Sequence, residues 1–192
     1  MIVKGYKIPR VIVGTSPFIA AGQFGQRTFN YYIKFVNNSI AVEKVIKSSI
    51  KMGIKGIQVL PYNWVYKAVK SILREHKDVV IVGTLIPNDL KSSIRTLSEL
   101  RATVSLVHGM ISNMRDLEVI EKHLDLCRKV SPLVGLVVHE PYKTLSWLME
   151  VDLNIDVIMA PINKLGYLMD APPEEVVKLY ERIGIPIIGK KV

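Results

Sequence analysis

The sequence predicts an α/β fold, a parallel (β/α) TIM-type barrel cut off in its seventh strand. Three observations carry this. Strand-like apolar runs alternate with amphipathic helical stretches along the whole length. The runs are near-continuous rather than alternating, which marks parallel strands buried on both faces. The seventh run, 185–192 (IPIIGKKV), ends the sequence. A complete barrel takes eight strand–helix pairs and about 250 residues. The 192 residues here lack room for a last helix, strand and helix. A doubly wound open sheet is the rival architecture. It gains no support, because no run is followed by a GxGxxG-type phosphate loop.

Each element has its own signal. The first strand is 11–15 (VIVGT), and a helix follows at 41–52 with Val42, Val45, Ile46 and Ile50 at helical spacing. Gly53 ends that helix, as glycine commonly does. The second strand is 56–60, followed by a helix at 64–76 with Val65, Val69, Ile72 and Leu73 on one face. The third strand is 79–85, and Asn88 is placed to cap the next helix. The fourth strand, 103–108, leads to a helix at 113–129 whose stripe is Leu117, Ile120, Leu124 and Cys127. The fifth strand is 134–139 with a helix at 142–150, and the sixth strand is 156–160. Asp170 with Pro172 and Pro173 opens the last helix, since proline is tolerated in a first turn. The pattern shows no linker or second domain, so residues 1–192 are expected to form one incomplete barrel domain.

Composition narrows the function classes. The formal charge is +9, but Lys and Arg are dispersed over helix faces (Lys44, Lys47, Lys51; Lys67, Lys70, Arg74). That reads as a solvated basic surface and argues against a nucleic-acid partner. No apolar run approaches the roughly 20 residues of a membrane span, and the N-terminus lacks the apolar stretch of a signal peptide. One cysteine excludes an internal disulfide, and a reducing, cytoplasmic setting is the expectation. Richness in Ile, Val and Lys with only three Gln points to a thermophile.

In a barrel the active site sits at the C-terminal ends of the strands. The candidates there are Ser16, Gln58, Tyr62, Thr84, His108, His139, Glu140, Asn163, Lys164, Lys190 and Lys191. His108 closes the fourth strand, and imidazole moves protons near neutral pH. Its catalytic partners are expected among His139, Glu140 and Lys190. His139 and Glu140 are neighbours, so in an ideal strand only one faces inward. His108, His139 and Glu140 could together ligate a metal, but no HExxH-type spacing is present, and no metal site is assigned. An inward Lys190 could bind a phosphate or carboxylate, or act as a base. Residues 16–40 form a connection far longer than the usual two to six or so residues, and all four Phe of the chain fall there with Tyr31 and Tyr32. With Arg27 this suits a flat or anionic ligand; the alternative is a small satellite core. Ser16, Arg27, Tyr31, Gln58, Tyr62, Thr84 and Asn163 are the expected ligand-binding set.

The opening GYKIPRVIVGT (5–15) resembles that of the aldo-keto reductases, and weaker likeness extends to MGIKGIQ, the strand ending LVH, and DVIMAPIN…ERIGIPIIGKKV. The resemblance implies that residues 1–10 form a hairpin plugging the barrel bottom. It also implies a nicotinamide cofactor, NADP, if the chain is a reductase. The family's aspartate, tyrosine and lysine positions are occupied here by Gln58, Asn63 and the Thr84–Leu85 region, and only His108 falls where the family has its histidine. The loops that hold the cofactor phosphates in that family, after strands seven and eight, are absent from the 192 residues. The expected function is thus a divergent barrel enzyme acting on a small anionic or carbonyl compound, with His108 as general acid and base. The other reading is a barrel that binds a small ligand without catalysis. An open barrel edge is expected to invite pairing with a second copy.

Overall fold

A computed structural model describes residues 1–192, and the chain divides into two compact units, Met1–Thr103 and Val104–Val192. In the first unit, β1 (Ile2–Val3) and β2 (Tyr6–Lys7) form an antiparallel hairpin. Lys4 and Gly5 both take positive φ at its tip, the conformation of a tight hairpin turn. Three parallel strands follow in chain order: β3 (Val13–Gly14), β4 (Gly56–Val59) and β5 (Val80–Thr84). Every residue of β4 is buried, and so are Ile81–Thr84 of β5. Sequence reading extended β3 to Val11 and Thr15, but only two of its residues pair with β4.

Residues 16–40, expected as a loop, are mostly regular. They fold as two short 3₁₀ turns and helix α1 (Arg27–Phe35). Their aromatic rings pack on one another: Phe18 on Phe35 at 5.0 Å between centroids, and Phe24 on Tyr31 at 5.1 Å. Such edge contacts add stability beyond area burial. Phe18, Phe24, Tyr31 and Phe35 therefore build a small core of their own, while Phe29 and Tyr32 stay exposed. The Trp64 indole N–H donates to the Phe18 carbonyl at 2.8 Å and ties this core to the next helix.

Helix α2 (Ser39–Lys51) starts where the Asn38 side chain accepts from the Ala41 N–H, buries Val42, Ile46 and Ile50, and ends at Gly53 in the left-handed region. Helix α3 (Asn63–Glu75) buries Val65, Ala68, Val69 and Ile72 and packs on α2. Helix α4 (Leu90–Glu99) is capped by Asp89, not by Asn88, through a bond from the Ser92 N–H. The buried Ser93 hydroxyl receives the Ile86 N–H at 3.1 Å.

The second unit repeats the pattern with β6 (Val104–Val107), β7 (Leu133–Val137), β8 (Val157–Pro161) and β9 (Ile187–Lys190), all parallel and in chain order. The helices are α5 (Gly109–Ser112), α6 (Leu117–Arg128), α7 (Pro141–Leu148) and α8 (Pro173–Arg182). β7 and β8 are buried throughout. Gly135 of β7 is required by close approach, since a Cβ there would lie 1.8 Å from the Val157 carbonyl oxygen. Two entries to helices differ from expectation. The helix expected over 113–129 starts only at Leu117: the chain takes a left-handed turn at Arg115, and Asp116 caps α6 through the Val119 N–H. Asp170 does not open α8. Its carboxylate instead receives the Tyr142 and Lys143 N–H groups at 2.8 and 3.0 Å, capping the first turn of α7. Cys127 is buried on the apolar face of α6, where burial pushes its thiol up to about 12.

Candidate functional site

Within the second unit, three of the four expected catalytic side chains come together at the C-terminal ends of their strands. His108 directly follows β6 and caps α5. Its Nδ1 accepts the Met110 N–H at 3.2 Å, and its carbonyl accepts from Ile111 and Ser112. A ring nitrogen that accepts carries no proton, so the neutral ring holds its proton on Nε2. Burial first, and the Lys190 charge second, hold His108 below the usual histidine range.

His139 lies two residues beyond β7, because the strand stops at Val137. Its backbone N–H donates to Asn113 Oδ1 at 3.1 Å, and its ring centroid is 6.1 Å from that of His108. The ring rests where a side chain at 109 would be: a Cβ on Gly109 would sit 2.0 Å from His139 Cδ2 and 2.3 Å from Nε2. Lys190, the last residue of β9, shares a hydrogen bond with His139, Nζ to Nδ1, at 3.0 Å. Burial, Lys190, Lys191 and His108, in that order, bring His139 down to about 3. Burial and then the Lys191 charge lower Lys190 to about 7. Near neutral pH both imidazoles are therefore neutral, and the Lys190 amine loses its proton far more readily than an ordinary lysine. Lys191 itself is lowered by burial and takes a left-handed backbone.

Glu140 is not part of this cluster. Its carboxylate pairs with Arg115 at 2.8 Å and Lys143 at 3.6 Å. The Arg115 hydrogen bond holds its acid below the usual carboxylate range. His108, His139 and Glu140 thus form no common ligand set, and no group of three or more His, Cys, Asp or Glu is arranged to hold a metal ion. Asn163 closes its own turn, bonding both the carbonyl and the N–H of Tyr167. Lys164 is exposed.

The remaining expected ligand residues belong to the first unit. Gln58 Nε2 donates to Thr84 Oγ1 at 3.3 Å, and both residues are buried. Sequence reading missed Thr15, a buried residue at the end of β3 whose hydroxyl accepts the Leu60 N–H at 3.0 Å. Ser16 starts a 3₁₀ turn and its carbonyl accepts from Ala21. The Tyr62 ring lies 5.2 Å from that of Trp64. Tyr31 belongs to the aromatic core, and Arg27 is exposed at the start of α1. An open cavity of about 520 Å³ lies beside them, lined by Ile19, Phe29, Tyr32, Val36 and Trp64 among others. Neither Arg27 nor Tyr31 lines it.

No family model matches the chain, and no curated protein matches its sequence. Solved structures do match. The aldo-keto reductase of Bombyx mori in complex with NADP superposes with a TM-score of 0.63 over 100% of this chain and 65% of its own length, at 12% identity. The aldose reductase of Schistosoma japonicum gives 0.57 over 96% of this chain and 66% of its own, at 15% identity. That of Giardia lamblia gives 0.55 over 80% of this chain and 62% of its own, at 15% identity. The chain thus spans somewhat less than two thirds of the length of these structures. The likeness shows the fold: α/β, of the parallel (β/α) TIM-type barrel class found in aldo-keto reductases. No helix is long and apolar enough to cross a membrane.

Proposed function

We propose that this protein is a divergent barrel enzyme of aldo-keto reductase-like type that acts on a small anionic or carbonyl-bearing compound, with His108 as general acid and base. The observation that supports this is the convergence of His108, His139 and Lys190 at the C-terminal ends of β6, β7 and β9. Barrel enzymes build their sites at that end of the strands. A half-buried imidazole kept neutral at pH 7 is ready to accept a proton, and Lys191 supplies the positive charge that an anionic group or a developing oxyanion needs.

One of the fold neighbours holds NADP. Hydride chemistry on a carbonyl needs a proton donor beside it. The positions that the resemblance assigns to that relay hold Gln58, Asn63 and Thr84, and Gln58 and Thr84 bond each other as a neutral pair. These residues do not fit the role, and no step of the proposed chemistry runs through the cofactor. The same pair favours the second reading, a barrel that binds a small ligand without turnover.

Deuterium uptake at the carbon next to the carbonyl separates the two readings, with pyruvate and glyceraldehyde as probes in D₂O followed by proton NMR. The enzyme reading expects exchange catalysed by the protein and slowed on the order of a hundredfold or more by His108→Ala. Binding without exchange would favour the second reading. Exchange unchanged in His108→Ala would remove His108 from the chemistry.

A further inference from the structure

Lys190 is placed unlike the other lysines of the chain. It ends β9 next to a second lysine, its Nζ is bonded to an imidazole nitrogen at 3.0 Å, and the second imidazole lies just beyond. No carboxylate is among its hydrogen-bond partners; the nearest acid in sequence to the two imidazoles, Glu140, is taken up by Arg115 and Lys143. Most other lysines with a described partner pair with acids on the surface, as Lys47, Lys55, Lys70 and Lys122 do. A lysine held against a neutral base and away from anions is arranged to lose its proton and present a nitrogen lone pair.

We propose that Lys190 is a covalent nucleophile that forms an imine with the carbonyl group of a small aldehyde or keto acid. This rests on the reading of the cluster as a site for small carbonyl compounds and adds the covalent step to it. The nitrogen lone pair attacks the carbonyl carbon, an N–C bond forms, and the C=O π pair moves to oxygen. The nitrogen passes a proton to the oxygen, through His139 Nδ1 within hydrogen-bond reach or through water, and the oxygen becomes the carbinolamine hydroxyl. The carbinolamine C–O bond then breaks as its oxygen takes up a further proton. Water leaves, the nitrogen lone pair closes the C=N bond, and the second N–H proton is released. Amine and carbonyl give imine and water, and nothing is oxidised or reduced. The lowered amine supports the geometry: burial and the Lys191 charge bring Lys190 down to about 7, so it presents a lone pair near neutral pH far more readily than an ordinary lysine. His139 is a positioning and proton-accepting neighbour, and Gly109 is what lets its ring lie there.

The test is reductive trapping. The 192-residue chain is incubated at pH 7 with pyruvate, or with acetaldehyde as an uncharged probe, in the presence of cyanoborohydride, which converts an imine into a stable secondary amine. Peptide mass spectrometry then locates the label. The expected result is label at Lys190 at least about tenfold above that at exposed Lys91 and Lys164. Lys190→Met should abolish it while thermal unfolding stays cooperative, and His139→Gln should slow labelling several-fold. Label spread evenly over surface lysines, or total label unchanged in Lys190→Met, would overturn the proposal. Deuterium exchange on the same samples separates the two claims. Exchange that depends on His108 without trapping at Lys190 would overturn the imine and leave the acid–base reading standing. Trapping at Lys190 without exchange would do the reverse.

Discussion

At the scale of single residues, the cluster depends on a side chain that is absent. The His139 ring fills the space over Gly109, so Gly109→Ala must push the ring away or shift α5. Either movement breaks the bond between Lys190 and His139. The expected cost is about 1–3 kcal/mol, as for overpacking in general, seen as a lower denaturant midpoint with unchanged slope. His139 should also titrate closer to its ordinary range in the variant. A variant as stable as the parent, with His139 unmoved, would contradict the packing described. The sequence made part of this legible. That His108 and Lys190 stand at strand ends was readable, because strand ends are marked by the close of apolar runs. The bond between Lys190 and His139 was not, because it spans fifty-one residues and depends on the register of β8 on β9. Which of His139 and Glu140 faces inward was left open in the sequence, because alternation holds only while the strand lasts, and the strand ends at Val137. Once the strand stops, the Glu140 side chain is free to meet Arg115.

At the scale of elements, helix ends carry the main differences between expectation and structure. Helix α7 begins with proline and has no cap of its own from Glu140. Its first turn is closed by Asp170, twenty-seven and twenty-eight residues away in sequence. Asp170→Ala should therefore lower stability by about 1–2 kcal/mol, the usual loss on deleting a cap, and Asp170→Asn should recover part of it. Chemical denaturation followed by circular dichroism checks this; equal midpoints for all three proteins would refute the capping role. No local pattern could have shown it, because Asp170 sits beside two prolines that are themselves a helix-opening signal. The break before α6 did leave a signal, Asp116 standing three residues before the Val119 whose N–H it accepts. In residues 16–40 the aromatic content left a ligand surface and a satellite core both open; Phe18, Phe24, Tyr31 and Phe35 pack on one another, and Phe29 and Tyr32 stay exposed.

At the scale of the whole molecule, the parallel class was legible because strands buried on both faces cannot alternate polar and apolar residues, and β4, β7 and β8 are buried at every position. The candidate site was legible only in outline, since the pairing of Gln58 with Thr84 and of Lys190 with His139 needs the fold. The cluster also couples to global stability. His139 is depressed in the folded state, so its contribution is fully present above its ordinary unfolded value near 6.5 and is lost as pH falls toward about 3. His108 acts in the same direction, and Lys190 and Lys191 are the charges that face the two rings. The measurement that bears most directly on the central claim is long-range ¹H–¹⁵N NMR of the imidazoles between about pH 4 and pH 8, on the parent and on Lys190→Met. The account predicts that His139 stays neutral with its proton on Nε2 through this range, and that removing the Lys190 charge raises its titration point. A His139 that titrates near pH 6.5 or so in the parent, with no response to Lys190→Met, would contradict the coupled cluster on which the proposed chemistry stands.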